Sequence, residues 1–335
     1  MKISDRIAAF ARLGTAMTGL PVHEKSALFQ RANNQNAWFT PASLEQAWQG
    51  ISYMLAAEKL HQLMHPYTAV TAPKTVGVTM AGNIPLVGFH DFMCVLLAGH
   101  RIWLKPSASD SVLILFVIDL LQKIEPAFAD CIRVVDRLNG IDAAIATGSN
   151  NTARYFEYYF RTIPHVIRKN RTSCAVLTGN ESATDFLALG QDVFSYYGLG
   201  CRNVSALFVP TAYNFTPLLN CWQQFASVAQ HHKYANNLDY QKAILLVNKT
   251  PFFDGGHVLI TQHTQVVSPI SVVHYQPYSS VEQLHALVAE RADQIQVVVS
   301  ANGAFPGSKP FGVAQRPEPG DFADGIDTLA FLSAI

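Results

Sequence analysis

At 335 residues, with 49% hydrophobic and only 14% charged residues, the chain can fill two packed cores and lacks the charge density of a disordered one. Lys plus Arg and Asp plus Glu both number 24, so no net field selects nucleic acid or an anionic membrane over a neutral small molecule. Charges interrupt the short apolar runs of Met1 to Phe10, and no uncharged apolar stretch reaches the length of a bilayer span; a soluble, unprocessed, cytoplasmic protein is expected. The cysteines (Cys94, Cys131, Cys174, Cys201, Cys221) are odd in number and form no CxxC pair, which argues against a disulfide framework or a zinc site and fits a reducing compartment.

From Ser4 to about Tyr67 apolar residues recur at helical spacing, as in Leu44, Trp48, Ile51 and Leu55 after the start signal Thr40-Pro41-Ala42-Ser43. Residues 1–67 are therefore read as a helical leader packed on the next lobe. Short β-rich runs follow at Thr75 to Met80, Arg101 to Lys105, Arg133 to Asp136 and Ala143 to Thr147, with helical crossovers at Leu86 to Leu97 and Ser111 to Ile124. Such alternation predicts a doubly wound parallel sheet over 68–170. Thr162 to Thr172, with Pro164 and several basic residues, reads as a crossing between lobes. A second lobe over 171–303 has strands near Ser173 to Leu177, Val204 to Val209, His257 to Ile260, Ser271 to His274 and Gln296 to Val299. The Pro-, Gly- and Asp-rich tail, 304–335, is expected to wrap back as irregular structure.

Cys201 lies in Tyr196-Tyr197-Gly198-Leu199-Gly200-Cys201-Arg202-Asn203, directly before a strand. Glycines there allow close backbone approach, and Arg202 with the nearby basic segment would favour a thiolate. A buried structural cysteine explains the residue equally well, and is the reading for the other four. Asn83 in Ala81-Gly82-Asn83-Ile84-Pro85 stands between a strand and a helix, where its amide could donate to an oxyanion or simply form an Asx turn. Lys105 closes its strand in Trp103-Leu104-Lys105-Pro106-Ser107, at an edge where an amine reaches a ribose or phosphate, though a lone Lys is more often solvated. Gly148-Ser149-Asn150-Asn151 is either a pyrophosphate seat or an ordinary helix cap. There is no GxGxxG, no GxSxG elbow and no metal-like histidine spacing.

Taken in order, these elements resemble the aldehyde dehydrogenase superfamily, and within it the acyl-CoA reductase family related to the reductase component of bacterial bioluminescence fatty-acid reduction. Asn83-Ile84-Pro85 matches the Asn-aromatic-Pro oxyanion motif, Leu104-Lys105-Pro106 the cofactor-lysine strand, Thr147-Gly148-Ser149 the Thr-Gly-Ser turn, and Cys201 the expected catalytic cysteine. The resemblance covers roughly Pro73 to the C-terminus. It implies an aldehyde-dehydrogenase-like α/β fold, two doubly wound lobes with a helical leader. It also implies NADPH or NADH as cofactor, bound by Lys105, Pro106, Ser107, Gly148 and Ser149. The substrate would be an acyl thioester of CoA or acyl carrier protein, and a homodimer is compatible. Cys201 would attack the thioester, Asn83 and the Cys201 N–H would hold the oxyanion, and hydride would reduce the acyl-enzyme to aldehyde.

Departures from the family pattern carry chemical information. Hydrolytic members have a glutamate about one strand and one helix before the cysteine, yet Pro164 to Gly179 contains no carboxylate. Losing that base favours reduction over hydrolysis. Val266-Val267-Ser268-Pro269 resembles the Phe-Gly-Pro turn, with Gln265 where a ribose-binding glutamate is expected, and Pro310-Phe311-Gly312 echoes a C-terminal motif. Alternatives are an acyl-phosphate reductase of the γ-glutamyl phosphate reductase type, a nicotinamide-independent cysteine acyltransferase, or a non-catalytic dinucleotide binder. The aromatics Phe194, Tyr196 and Tyr197 around Cys201 lean toward a longer apolar acyl chain.

Overall fold

The computed structural model describes residues 1–68 and 70–335, which divide into two compact units, Met1–Asn170 with Pro317–Ile335, and Arg171–Arg316. The leader forms α1 (Ile3–Thr18), α2 (Val22–Gln35), α3 (Pro41–Met54) and α4 (Ala57–Met64). α3 begins at the predicted signal: the Thr40 hydroxyl accepts from the Ser43 amide at 3.4 Å, and Pro41 stands in the first turn, where no N–H is needed. The strands and helices that follow are β1 (Thr75–Thr79), α5 (Phe89–Ala98), β2 (Arg101–Lys105), α6 (Ser111–Ile124), β3 (Ile132–Val134), β4 (Ala143–Thr147), α7 (Asn150–Phe160) and β5 (His165–Arg168). Phe10, Leu13 and Met17 of α1 and Leu44, Trp48 and Ile51 of α3 share one apolar cluster with Phe89 and Phe92 of α5 and Val117 of α6.

The sheet of this unit is parallel throughout, in the order β3-β2-β1-β4-β5. With that order the chain reverses direction between β1 and β4, and the loops leaving their carboxyl ends open a crevice. β5 corrects the reading of Thr162 to Thr172 as a bare crossing. His165 to Arg168 alternates outward and inward, and the inward Arg168 disguised the strand as a basic loop. Its guanidinium is 3% exposed and grips Asp91 of α5 through Nη2–Oδ1 at 2.8 Å and Nε–Oδ2 at 3.2 Å. The same group donates to Thr328 Oγ1 at 2.7 Å and to the Ala323 carbonyl at 2.5 Å. The tail beyond Pro317 is thereby fastened into the core, and it is not wholly irregular: α12 (Thr328–Ser333) is capped by Asp327, which accepts from the Ala330 amide at 2.8 Å.

The second unit contains β6 (Thr172–Val176), α8 (Ala183–Phe194), β7 (Val204–Pro210), α9 (Thr216–Trp222), α10 (His232–Val247), β8 (Phe252–Asp254), β9 (Leu259–Gln262), β10 (Val272–Tyr278), α11 (Val281–Ala289), β11 (Ile295–Ser300) and β12 (Lys309–Pro310). Their order is β12-β11-β6-β7-β10-β9-β8, parallel except for the hairpin of β8 on β9. The flanking β8 and β12 are too short to carry a period-2 signal and went unpredicted. Buried Leu207, Val209, Leu218 and Trp222 lie at the heart of its largest apolar cluster. No helix among the described residues is long and apolar enough to cross a membrane.

Removing one partner of a buried ion pair strands the other charge. Arg168→Ala is therefore expected to lower stability by about 3–5 kcal/mol in urea unfolding, and Arg168→Met combined with Asp91→Leu to recover most of it. Equal instability of the single and double variants would show that the cost lies in the bonds of Arg168 to Thr328 and Ala323 and not in the charge left on Asp91.

Candidate functional site

The loops at the carboxyl edge of the first unit's sheet gather the residues read as cofactor-binding. Lys105 is exposed at the last position of β2, in register with Thr79 of β1. Asn83 is exposed on the loop after β1, which is fastened from behind: the Met80 amide donates to the Lys105 carbonyl at 3.1 Å, and Asn36 Nδ2 donates to the Gly82 carbonyl at 3.3 Å. Gly82 is required there, because a Cβ would fall 2.4 Å from Ser107 Oγ. The Asn83 loop and the Lys105-Pro106-Ser107 loop are thus packed backbone to side chain. Gln35, from the leader, completes the arrangement: its Oε1 accepts from the Ser111 and Val112 amides at 3.1 and 3.2 Å, capping α6 from outside the helix.

Gly148 and Ser149 follow β4 on the same edge. The Ser149 hydroxyl accepts from the Thr152 amide at 3.2 Å, so it caps α7, and a Cβ on Gly148 would meet Phe156 and Thr152 at 3.0 and 3.1 Å. Capping and a pyrophosphate seat are compatible, since the cap leaves other first-turn amides of α7 unsatisfied within the helix. Asn151, Arg154, Tyr155, Tyr158 and Tyr159 line a shallow groove of about 500 Å³ along α7. Exposed amine, close-approach glycine and helix N-terminus therefore share one sheet edge, and these residues fit a dinucleotide.

Cys201 belongs to the second unit, half-buried in the turn entering the amino end of β7. Before it, Tyr196 (φ 51°), Tyr197 (φ 59°) and Gly198 (φ 78°) form a left-handed run, which costs about 1–2 kcal/mol for each non-glycine residue. Asn203, 1% exposed, holds the turn: its Oδ1 accepts from the Gly200 amide at 2.8 Å, and its Nδ2 donates to the carbonyls of Asp192, Val193 and Ser195 at 3.1, 3.2 and 2.7 Å. Ser173 Oγ of β6 donates to the Cys201 carbonyl at 3.1 Å. No role was read for Asn203 from the sequence, which gives no local sign that its amide spans eleven residues.

Carboxylates between β6 and Cys201 are committed elsewhere. Glu181 accepts from the Thr178 and Gly179 amides at 2.5 and 3.1 Å, and Asp185 forms the capping box of α8 with Ser182. Asp192, fully buried, accepts from the Gly312 and Ala314 amides at 2.6 and 3.1 Å, and burial pushes its carboxyl up to about 7. That pair of bonds anchors the Pro310-Phe311-Gly312 segment. Gln265 is exposed in the loop after β9; its carbonyl accepts from or faces His274 Nδ1 at 2.8 Å, and the adjacent Val266 carbonyl accepts from Ser205 Oγ at 2.6 Å.

Three expectations change. Phe194 stacks on Phe225 and meets Trp222 edge-on in the core, and Tyr196 is buried, so their place in the core accounts for these two aromatics without a long acyl chain, while Tyr197 is half-buried. Arg168, read as part of the basic segment near Cys201, is paired with Asp91 within the first unit. Among the other cysteines, burial raises the Cys94 thiol and pushes Cys174 up to about 12, but Cys131 and Cys221 are only half-buried. Among the described residues no cluster of three or more His, Cys, Asp or Glu could hold a metal ion.

Asp110, 5% exposed at the entrance to α6, supports the Asn83 loop. Its Oδ2 accepts at 2.7 Å from the amide of Leu86, whose φ of 57° delays α5 from the predicted Leu86 to Phe89, while Oδ1 is buried without a partner. Burial raises this carboxyl from an ordinary 3.8 to about 8. The native state therefore keeps a proton that the unfolded chain releases, and stability falls as pH rises from about 4 to about 8, by up to about 1.4 kcal/mol per pH unit. Asp110→Asn keeps the acceptor for Leu86 and removes the latent charge. Urea unfolding across that pH range is expected to be flatter in the variant, and an unaltered slope would refute the buried-acid assignment.

The match to known proteins agrees with this layout. The family model described as acyl-CoA reductase (LuxC) matches residues 44–217, which include Asn83, Lys105, Gly148, Ser149 and Cys201. No curated protein sequence matches the chain. Similar solved structures include a NAD-dependent benzaldehyde dehydrogenase from Corynebacterium glutamicum (11% identity, 90% of this chain and 76% of that one, TM-score 0.66). Others are the Mycobacterium tuberculosis aldehyde dehydrogenase complexed with NAD+ (13%, 90% and 73%, 0.64) and the NAD+ complex of a Bacillus cereus aldehyde dehydrogenase (14%, 90% and 72%, 0.63). At such identities these structures establish the fold, that of an aldehyde dehydrogenase. The family match covers more than half of the sequence, and the chain belongs to the acyl-CoA reductase (LuxC) family, oxidoreductases acting on acyl and aldehyde groups.

Proposed function

We propose that the protein reduces an acyl thioester, carried on CoA or acyl carrier protein, to an aldehyde through an acyl-enzyme on Cys201. The first unit is the dinucleotide lobe, with Lys105, Pro106, Ser107, Gly148 and Ser149 holding the cofactor, and the second carries the nucleophile. NAD+ in the Mycobacterium tuberculosis and Bacillus cereus structures favours a nicotinamide here, NADPH or NADH. When bound, it supplies the hydride.

The Cys201 sulfur attacks the thioester carbonyl, and the Cys201 N–H and the Asn83 amide are the donors for the charge that develops on its oxygen. Collapse expels the carrier thiolate, which takes a proton, and leaves the acyl group on sulfur. Hydride addition to that carbonyl carbon and departure of the Cys201 thiolate then release the aldehyde. The observation that carries reduction over hydrolysis is the commitment of Glu181, Asp185 and Asp192 to backbone amides. Each is engaged in holding a turn, Glu181 and Asp192 through both carboxylate oxygens and Asp185 through Oδ2, which favours a structural role for them over activation of water against the acyl-enzyme.

Acyl-CoAs of graded chain length, mixed with NADPH or NADH, test this reading through loss of reduced-cofactor absorbance and release of aldehyde. Intact-mass analysis without cofactor is expected to find one acyl group on Cys201 in the wild type and none in Cys201→Ser, because an unactivated hydroxyl is a far weaker nucleophile. An adduct on another cysteine, or on the Ser variant, would refute the assignment. Lys105→Ala is expected to raise KM for the dinucleotide while leaving KM for the acyl substrate in place. An unchanged cofactor KM would return Lys105 to the solvated surface.

A further inference from the structure

We propose that Asn203 is the positioning residue of the nucleophile, setting the direction of the Cys201 backbone N–H through the turn that its side-chain amide templates. The proposal rests on Cys201 being the acyl-accepting cysteine, and it concerns how that cysteine is aimed. The argument begins with the left-handed run. Tyr196 and Tyr197 adopt positive φ although neither is glycine, a conformation that persists only where surrounding contacts over-determine it. Tyr197 packs against the His231 and Tyr234 rings at centroid distances of 4.7 and 6.1 Å, which fixes its side chain but leaves the carbonyls at the end of α8 to be satisfied.

Asn203 satisfies them. Its Nδ2 has two hydrogens for three carbonyls, Asp192, Val193 and Ser195, so at least one hydrogen is shared between two acceptors. Its Oδ1 takes the Gly200 N–H on the other side. Only a neutral amide can both donate toward a helix end and accept from a turn here; a carboxylate would set negative charge against three carbonyl oxygens, and an alkyl group would leave all four backbone groups buried and unpaired from this side.

The consequence reaches Cys201 through peptide planarity. The Asn203 backbone N–H donates to the Gly200 carbonyl at 3.0 Å while its side-chain Oδ1 holds the Gly200 N–H, and the Gly200 carbonyl shares one plane with the Cys201 N–H and points the opposite way. Fixing the Gly200 oxygen therefore fixes the heading of the Cys201 N–H. On the far side Ser173 Oγ holds the Cys201 carbonyl, and the Asn203 carbonyl is held by the Ser173 amide at 3.0 Å and by Thr172 Oγ1 at 3.1 Å. Both peptides flanking the nucleophile are thus immobilised, and the interaction that joins them to α8 is the Asn203 side chain.

A small alkylating reagent needs only access to sulfur, whereas a thioester needs sulfur and an N–H aimed at the same carbonyl. That difference supplies the test. Wild type, Asn203→Ala and Asn203→Asp are compared for acylation by acyl-CoA, followed by intact mass, and for alkylation of Cys201 by iodoacetamide, with circular dichroism and melting temperature on the same samples. Asn203→Ala is expected to lose about a hundredfold in acylation rate, the scale of a 1 Å misplacement, with alkylation and acyl-CoA KM unchanged. Asn203→Asp is expected to recover part of the acylation rate, relative to wild type at each pH, as acid restores a donor. Acylation that is unaffected, or that falls in step with alkylation, overturns the proposal. A wild type that takes no acyl group on Cys201 refutes the nucleophile assignment itself, before any variant is made. Should Asn203→Ala fail to fold, hydrogen exchange of the wild-type Gly200 amide decides: slow exchange is expected of a clamped N–H, and exchange as fast as a solvent-exposed amide overturns the clamp.

Discussion

A backbone N–H or C=O that loses its ladder or helix partner inside a protein must find another, and in this chain the turns proposed to bear the chemistry are places where that demand is met by side chains. Asn203 answers for the end of α8 and the approach to Cys201. Gln35 answers for the first amides of α6, Asp110 for Leu86 and Asp192 for Gly312 and Ala314. Each supporting group is drawn from elsewhere in the chain, by a few residues for Asn203 and by seventy-odd or more for Gln35 and Asp192. The loops are consequently irregular without being loose. Their conformations are set by polar groups that have no water to retreat to, so a change of partner is opposed by the cost of leaving a buried amide unpaired.

The type of side chain used at each position follows from what it must bond. Where the backbone offers only donors, as at Leu86, Gly312 and Ala314, a carboxyl serves, and burial then shifts it upward, Asp110 to about 8 and Asp192 to about 7. Where donors and acceptors converge, as around Asn203, only an amide fits. Where a cation must be buried, as Arg168 is, a full carboxylate is placed opposite in bidentate register and a hydroxyl and a carbonyl take further donors. Asp110 departs from this pattern, since one of its oxygens is buried without a partner, and burial raises its carboxyl to about 8.

Much of the fold was legible because its signals are local. Ala143 to Thr147 is a short apolar run and reappears as β4 with the same bounds; Ser111 to Ile124 reappears as α6. The order of motifs, Asn83, Lys105, Gly148-Ser149 and Cys201, was enough to indicate the family. What stayed hidden is non-local. β5 was masked because a buried arginine looks like a surface one until Asp91, far away in sequence, is brought beside it. The start of α5 was misjudged because Leu86 is turned left-handed by Asp110, and apolar spacing carries no record of that bond. The aromatics before Cys201 favour a longer acyl chain when judged by closeness in sequence alone, whereas Phe194 and Tyr196 are buried in the core. Asn203 was visible as a letter beside the cysteine and invisible as a hub.

An acyl-thioester on cysteine is open to water as well as to hydride, so an enzyme that ends at the aldehyde must make the first slow. Distance from carboxylates in the sequence is a weak guarantee, because a fold can bring a distant base to any point. Occupation is a stronger one within the stretch that leads to the nucleophile. Protonating Glu181 would weaken the bonds by which its two oxygens hold the Thr178 and Gly179 amides, and Asp192, although burial raises its carboxyl to about 7, is fully buried against the Gly312 and Ala314 amides. The acids of α8 and its approach thus do structural work that makes them unfit for hydrolytic work. On this reading the reductive outcome depends on carboxylates already engaged by the backbone as much as on the missing glutamate, and these bonds are separate from the Asn203 and Ser173 bonds that hold the Cys201 turn.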